Sequence, residues 1–405
     1  MGVCGHNQER RNLKNNKKKS LFTEPIRRKK KNISKSVNIN KIDSSYKINN
    51  IINDTNPNSL NKNNNLINHQ TNYDNNSRIK DLKNDFIDIN NNNKVINHNY
   101  KIINNNSNIN NKNIPREINP KDYKESRTLK GHEEKVVSLI QLESGYIASG
   151  SYDCSIRIWD IENEKCILQF YELGYVLCLL EFKPNILLTG TSENNIGLWD
   201  INKAISEPQY NFCKHNLWVN CLVKCDENNF ASASNDANII IWNFNIRECI
   251  GILIGHTDCI LTLIRLNNGN LCSGSADLTI KIWDWKKQHC LFELKSHNKW
   301  VKCLCELNDG TLLSGSDDHI IKNWRNNQCI TNIIGHSHSV RTLCQIDNNH
   351  FASGSFDKKI IIWNKRDFQI VKSLLGHSSN VINVIKLKDN RLVSCSNDKT
   401  IKIWE

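Results

Sequence analysis

The stretch CSGSADLTIKIWD, residues 272–284, joins a run of small residues, a turn and a short apolar segment that ends in tryptophan. Similar phrases stand at 148–160 (ASGSYDCSIRIWD) and at 393–405 (VSCSNDKTIKIWE). Seven tryptophans end such phrases at intervals of 39 to 43 residues: Trp159, Trp199, Trp242, Trp283, Trp324, Trp363 and Trp404. A period near 40 residues indicates a fold assembled from copies of one supersecondary unit.

Each copy has the pattern of four short β-strands separated by turn residues. In the first copy the apolar segments read VVSLIQL, YIASGS, SIRIWD and CILQF. Four short antiparallel strands cannot bury both of their faces alone, whereas copies stacked around an axis can. The sequence therefore predicts an all-β ring of stacked sheets.

About 20 residues before most of these phrases stands a histidine, often as Gly-His. With this pair the repeat resembles the WD40 family over residues 126–405, and the resemblance implies a seven-bladed β-propeller. In that family a histidine, a serine or threonine, an aspartate and the tryptophan form one hydrogen-bonded chain in each blade. Six copies match it: His132, Ser149, Asp153 and Trp159; His215, Ser232, Asp236 and Trp242; His256, Ser273, Asp277 and Trp283; His297, Ser314, Asp318 and Trp324; His336, Ser353, Asp357 and Trp363; His377, Ser394, Asp398 and Trp404.

The second copy departs from this set. Glu172 stands where the histidine belongs, and Glu193 replaces the aspartate beside Thr189. Because buried polar groups are tolerated only when they satisfy one another, we expect this blade to be the least stable.

The resemblance also implies how the ring closes. The final copy ends after its third strand, so residues 126–130 (SRTLK), which precede the first Gly-His, are expected to supply the fourth strand of the last blade.

Two further tryptophans, Trp218 and Trp300, do not follow the 40-residue rhythm. The resemblance places them, with other residues beside the first strands and before the turn acids, on the rim where WD40 partners usually bind. The predicted protein-binding rim comprises Lys135, Tyr152, Tyr175, Trp218, Trp300, Lys302, Asp317, Arg341 and Phe356. Aromatic and arginine residues dominate binding hot spots, so this set favours a protein or peptide partner. The alternative is that the two tryptophans only cover loops over the channel.

Residues 1–125 differ in composition from residues 126–405. They contain 35 Asn, and they carry 24 of the 54 basic residues but only 11 of the 41 acidic ones. The whole formal charge of +13 therefore belongs to this tail, and the remainder is neutral. Low-complexity sequence of this kind buries too little apolar surface to fold. This long, Asn-rich and basic tail is therefore predicted to be disordered.

The chain begins MGVCGHNQER, in which Gly2 resembles an N-myristoylation site and Cys4 a palmitoylation site. His6 departs from the usual serine or threonine of such sites. Basic runs at 17–19 and 27–31 could support an acyl anchor on an anionic membrane surface. The competing interpretation of the second run is a nuclear-import or nucleic-acid patch, with nucleic acid the less favoured partner.

Several classes of function are disfavoured. Each histidine is paired within its own copy, no nucleophile–base or phosphate-loop motif occurs, and the cysteines lack zinc-site spacing. Neither a signal peptide nor an apolar run of membrane-spanning length is found. These absences indicate a cytosolic protein, in which the cysteines are expected to be reduced thiols.

We therefore predict a non-enzymatic scaffold without cofactor, metal or small-molecule substrate. It is expected to be cytoplasmic and associated with the cytosolic face of a membrane. The alternatives are a substrate-recognition subunit of a ubiquitin ligase, which would usually carry an adaptor motif not seen in residues 1–125, and a nuclear propeller in ribosome or RNA assembly.

Overall fold

The computed structural model describes residues 118–203 and 207–405, and its elements in this part of the chain are 28 β-strands. The strands form seven antiparallel sheets of four strands each. The first strands of neighbouring sheets contact one another around a closed ring. The expected seven-bladed propeller is confirmed. The tail predicted to be disordered lies, up to residue 117, outside the described residues.

The first four blades each use four consecutive strands. Blade 1 contains β2 (Val136–Gln141), β3 (Ile147–Ser151), β4 (Ser155–Asp160) and β5 (Lys165–Tyr171). Blade 2 contains β6 (Val176–Lys183), β7 (Ile186–Thr191), β8 (Asn195–Asp200) and β9 (Tyr210–Cys213). Blade 3 contains β10 (Val219–Lys224), β11 (Asn229–Ser234), β12 (Ile239–Asn243) and β13 (Glu248–Leu253). Blade 4 contains β14 (Ile260–Arg265), β15 (Leu271–Ser275), β16 (Thr279–Asp284) and β17 (His289–Lys295).

The last three blades complete the ring. Blade 5 contains β18 (Val301–Glu306), β19 (Leu312–Ser316), β20 (Ile321–Arg325) and β21 (Gln328–Ile333). Blade 6 contains β22 (Val340–Gln345), β23 (His350–Ser355), β24 (Ile360–Asn364) and β25 (Ile370–Leu374). Blade 7 contains β26 (Val381–Lys386), β27 (Leu392–Ser396), β28 (Ile401–Trp404) and, as its outer strand, β1 (Glu125–Leu129).

The two ends of the propeller are joined by pairing of β1 with β28. Leu129 lies opposite Ile401 in this antiparallel pair. This confirms the predicted closure. The packed chain begins slightly before residue 126, because Tyr123 is fully buried and its hydroxyl donates to the Asn390 carbonyl at 2.5 Å.

The core lies between neighbouring blades. The second strand of each blade is almost wholly buried, whereas the fourth strands are mostly exposed or half-buried. A representative cluster joins Ile280 and Ile282 of blade 4 to Leu304 and Trp324 of blade 5. Stacking therefore buries the sheet faces that a single blade would leave exposed.

Candidate protein-binding face

One residue near the start of each blade's first strand is left out of the pairing with the second strand. The register of every first strand shifts between its first and third residues. The residues skipped are Val137, Leu177, Asn220, Leu261, Lys302, Arg341 and Ile382. A β-bulge redirects a side chain, so seven side chains are set apart from the regular ladder at one end of the ring.

The residue before each first strand is held next to the residue before the turn acid of the same blade. The backbone N–H of Tyr152 donates to the Lys135 carbonyl at 3.0 Å, and that of Asp317 donates to the Trp300 carbonyl at 3.0 Å. The same bond recurs in the other five blades. We call the bulge residues and these bonded pairs, taken together, the rim face.

An aromatic run crosses blades 1 to 3 of the rim face. The rings of Tyr152 and Tyr175 stack with centroids 4.4 Å apart and planes 4° apart. Trp218 meets Tyr175 edge-on at 6.1 Å, and the Lys135 ammonium lies 5.3 Å from the centroid of Tyr152. Aromatic side chains from three neighbouring blades thus form one continuous surface.

A charged cluster occupies blades 5 and 6 of the same face. The Lys302 ammonium lies 4.3 Å from the ring centroid of Trp300 and 3.5 Å from the Asp317 carboxylate. The guanidinium of Arg341 lies 5.4 Å from the ring centroid of Phe356. Each cation is therefore within cation–π range of an aromatic ring.

Burial changes the acidity of both cations. Burial, and then the charge of Arg341, lower the pKa of Lys302 to about 8, although Asp317 opposes the shift. Burial also lowers the pKa of Arg341. Perturbed pKa values of this kind cluster at functional sites.

Of the three tryptophans outside the 40-residue rhythm, Trp285 is buried, whereas Trp218 and Trp300 are much more exposed than the seven rhythmic ones. Trp218 is 38% exposed and Trp300 is 43% exposed, whereas Trp283 is 1% exposed. Large apolar surfaces at this exposure are typical of interaction sites when they adjoin other aromatic groups. The role of these residues in binding stays a prediction.

Two rim-face residues that contribute polar contacts were absent from the candidate set. The Ser339 hydroxyl donates to the Asp317 carboxylate. The Asn220 side-chain amide donates to Asn235 at 2.6 Å and to the Ile260 carbonyl of the next blade at 2.7 Å. Both occupy the repeat positions that defined the set, so alignment of the copies was the signal that could have found them.

The predicted structural network is brought together in six blades. The histidine Nδ1 lies 2.7–2.8 Å from the aspartate, its Nε2 lies 2.7–2.8 Å from the serine hydroxyl, and the tryptophan Nε1–H donates to that hydroxyl at 2.7–2.8 Å. The aspartate also accepts from the backbone N–H after the histidine. Each network ties the second and third strands of a blade to the loop before its first strand and to one turn.

Proton positions follow from these contacts. Burial opposes ionisation of Asp318, but the hydrogen bond from His297 and those from the backbone N–H groups of Asn298 and Ile320 together lower the pKa of Asp318 to about 2. Burial lowers the pKa of His297. A neutral histidine therefore donates from Nδ1 to the carboxylate, and its Nε2 accepts from the serine hydroxyl. Each histidine is fully engaged within its own blade, which leaves it no free nitrogen for a substrate.

In blade 2 a glutamate, Glu172, takes the place of the histidine in the hydrogen-bonded network. The Thr189 hydroxyl and the Trp199 indole N–H both donate to one oxygen of Glu172, at 2.5 and 2.8 Å. Burial raises the pKa of the Glu172 carboxyl, although both hydrogen bonds oppose the shift. No contact between Glu172 and Glu193 is found in the described part of this blade. Glu172 thus replaces the histidine as acceptor, without the link to a turn acid.

Residues 118–203 and 207–405 lack two other kinds of site. No group of three or more histidine, cysteine, aspartate or glutamate side chains is arranged to hold a metal ion there. The same residues include no helix with the length and apolarity needed to cross a bilayer. Gly2, Cys4 and both basic runs lie outside this part of the chain.

Comparison with known proteins gives matches to WD40-repeat proteins. The chain is 34% identical over 105 residues to cell division control protein 4 of Saccharomyces cerevisiae, which covers 26% of this chain and 13% of that protein. It is 30% identical over 142 residues to the ribosome biogenesis protein WDR12 homolog of Chlamydomonas reinhardtii, covering 33% and 32%. The chain thus spans less than a third of the length of these relatives.

A solved structure agrees with the architecture. The WD40 β-propeller domain of Doa1 superposes with a TM-score of 0.63 at 21% identity, covering 70% of this chain and 97% of that one. The family model "WD domain, G-beta repeat" matches residues 123–160, 206–243, 247–284, 288–325, 327–364 and 368–405. The unmatched stretch 161–205 contains most of blade 2, where Glu172 replaces the histidine. Because the matched repeats span more than half of the sequence, the chain belongs to the family of WD40 (G-beta) repeat proteins.

Proposed function

We propose that this WD40 propeller is a non-enzymatic scaffold that binds partner proteins on its rim face. The observation that carries the proposal is the continuous aromatic surface of Tyr152, Tyr175 and Trp218, facing the same end of the ring as Trp300 and its charged neighbours. Exposed aromatic groups beside arginine and lysine supply large contact area at low conformational cost.

Loss of the rim anchors should abolish binding without unfolding the ring. A variant combining Trp218→Ala, Trp300→Ala and Arg341→Ala should lose most proteins that co-purify with the intact chain, since such anchors contribute about 2 kcal/mol or more each. Affinity purification followed by mass spectrometry measures this loss, and circular dichroism checks the fold.

The matched control removes similar side chains from two outer strands and one turn. Phe292, Ile330 and Arg366 are exposed away from the rim face, so their triple replacement by alanine should leave the set of partners unchanged. Equal partner sets for wild type and the rim variant would refute the rim face as the binding surface. Recovery of ubiquitin-ligase subunits or of preribosomal proteins would favour one of the two alternative pathways.

We further propose that the amino-terminal tail tethers the scaffold to the cytosolic face of a membrane. The support is the sequence alone: Gly2 and Cys4 followed by the basic runs at 17–19 and 27–31. One acyl chain binds marginally, and a second chain or a polybasic segment makes the attachment stable. The similarity to a ribosome biogenesis protein favours the competing nuclear assignment of these basic runs.

A further inference from the structure

Two cations and one carboxylate meet on blades 5 and 6 of the rim face. Lys302 and Arg341 are the bulge residues of consecutive blades, and Asp317 stands before the turn acid of blade 5. From this arrangement we propose that Lys302 and Arg341 together bind the carboxylate of an aspartate or glutamate in the partner protein. The proposal rests on the assignment of the rim face as the partner-binding surface.

Arg341 has an unsatisfied hydrogen-bond donor. Its Nε–H is buried and has no acceptor, and no residue within 118–203 or 207–405 forms an ion pair with its guanidinium. A buried N–H donor without an acceptor is costly, because no hydrogen bond compensates for its lost hydration. Asp317 acts on the guanidinium through its charge but does not form an ion pair with it. An incoming carboxylate would supply the missing acceptors, and guanidinium groups bind carboxylates in a two-bond geometry.

The carboxylate of Asp317 is already in contact with two neighbouring side chains. Asp317 accepts from the Ser339 hydroxyl with one oxygen, and its other oxygen lies 3.5 Å from the Lys302 ammonium. Two positive charges against one negative charge leave an excess of one. A single carboxylate neutralises this excess, whereas a phosphate dianion would leave a net negative charge in a partly buried site. The charge count therefore favours an acidic side chain over a phosphorylated one.

Apolar walls make the site selective for a charged group with an aliphatic stem. Trp300 and Phe356 flank the two cations, and the hydroxyl-bearing ring of Tyr152 lies close enough for the charge of Arg341 to act on its pKa. Aromatic walls exclude water and so strengthen a charge-assisted hydrogen bond. The methylene groups of a glutamate or aspartate can pack against the same rings.

The pH dependence of binding follows from Lys302. Its ammonium, with a pKa lowered to about 8 by burial and by Arg341, is charged at pH 7 and neutral at pH 9.5. The other titratable groups that face the two cations are Asp317, Cys259, Cys303 and Tyr152. Burial raises the pKa of Cys259, Cys303 and Tyr152, so Lys302 is the group expected to lose charge as the pH rises above 8.

The test is selection from a random decapeptide library displayed on phage, with the full-length chain as bait. Wild type should enrich peptides that contain aspartate or glutamate. The comparison variants are Lys302→Leu and Arg341→Leu, since Leu177 and Leu261 occupy the same bulge position in blades 2 and 4 and show that the backbone accepts leucine there. Arg366→Ala, which removes an exposed cation elsewhere, is the charge-matched control.

One selected peptide and its Glu→Gln or Asp→Asn form then give the quantitative test by isothermal titration calorimetry. Arg341→Leu should weaken the acidic peptide at least about tenfold, the lower end for close charge pairs across an interface, and should leave the amide form unaffected. Wild-type affinity for the acidic peptide should fall between pH 7 and pH 9.5, and Lys302→Leu should abolish that fall.

The outcomes separate the two proposals. Selected peptides without acidic enrichment, or equal affinity of wild type and Arg341→Leu for the acidic peptide, would overturn the carboxylate site and leave the rim face standing. Tighter binding of a phosphoserine version than of the glutamate version would also overturn it. Failure to select any peptide that depends on Trp218 and Trp300 would overturn the rim face and the carboxylate site together.

Discussion

Replacement of Asn323 by isoleucine should stabilise the propeller. Asn323 lies in β20, directly before the rhythmic tryptophan of blade 5, and is 6% exposed. The residues at this position in the other blades are aliphatic: Ile158, Leu198, Ile241, Ile282, Ile362 and Ile403. They pack against the next blade. Asn323 instead lines a cleft of about 600 Å³, and its side-chain oxygen is buried without a hydrogen-bond donor.

The expected gain combines two effects. An unsatisfied buried polar atom costs about 1–3 kcal/mol. Burial of an isoleucine side chain is favourable by about 1.5–3 kcal/mol relative to exposure, of which only part is gained because the cleft is open on one side. Allowing for some strain in repacking, we expect an increase of about 2 kcal/mol in the free energy of unfolding. That corresponds to a rise in Tm of roughly 3–4 °C for a domain of this size.

Urea denaturation of the full-length chain, followed by tryptophan fluorescence, measures the change. Asn220→Ile is the matched control, because Asn220 donates two hydrogen bonds and its loss leaves the Ile260 carbonyl without this partner. The same substitution should therefore stabilise at 323 and give no gain at 220. The reciprocal variant Ile362→Asn should destabilise blade 6. A midpoint for Asn323→Ile at or below that of wild type would refute the reasoning.

Three further predictions concern the core, blade 2 and the tail. Trp283→Ala should cost about 3–5 kcal/mol in urea denaturation, and Trp300→Ala well under half of that because it opens no buried cavity; equal losses would contradict the surface position of Trp300. The strands of blade 2 should exchange amide hydrogens fastest. Since the pKa of Glu172 is raised, wild type should lose stability relative to Glu172→Gln as the pH rises above 4.5; parallel pH profiles would count against this. Gly2→Ala should release the protein from membranes in cell fractionation and Cys4→Ser should weaken attachment, whereas unchanged partitioning of Gly2→Ala would disprove the anchor.

The architecture could be predicted from the sequence because the pattern of one blade occurs seven times along the chain. Blade number, closure through residues 126–130 and the positions of the network residues all follow from one alignment of the copies. The replacement of the histidine by Glu172 was also visible in the sequence, but the hydrogen bonds that Glu172 forms were not. A carboxylate that accepts from Thr189 and Trp199 with a single oxygen depends on the distances between two strands and the loop that holds Glu172. Residue spacing in the sequence does not give those distances.

The details of the rim face were beyond prediction because they arise between blades. The stack of Tyr152 on Tyr175 joins residues of consecutive blades, as does the bond from Ser339 to Asp317. The missing acceptor of the Arg341 Nε–H also depends on the three-dimensional packing around that side chain. Likewise, Asn323 breaks a column of aliphatic residues, which the sequence reveals, but the cleft beside it belongs to the packing of blade 5 against blade 6.

The contrast between fixed and varied positions separates structural from functional demands. The histidine, serine, aspartate and tryptophan of the network have the same types in six blades because each blade needs the same bonds. At the bulge position the backbone is also the same in every blade, yet the side chains include valine, leucine, isoleucine, asparagine, lysine and arginine. Aliphatic residues satisfy that backbone in four blades, so the fold does not require Lys302 or Arg341. Arg341, which has no ion pair within the described part of the chain, costs stability at a place where leucine suffices, and binding an acidic partner is a function that would offset this cost.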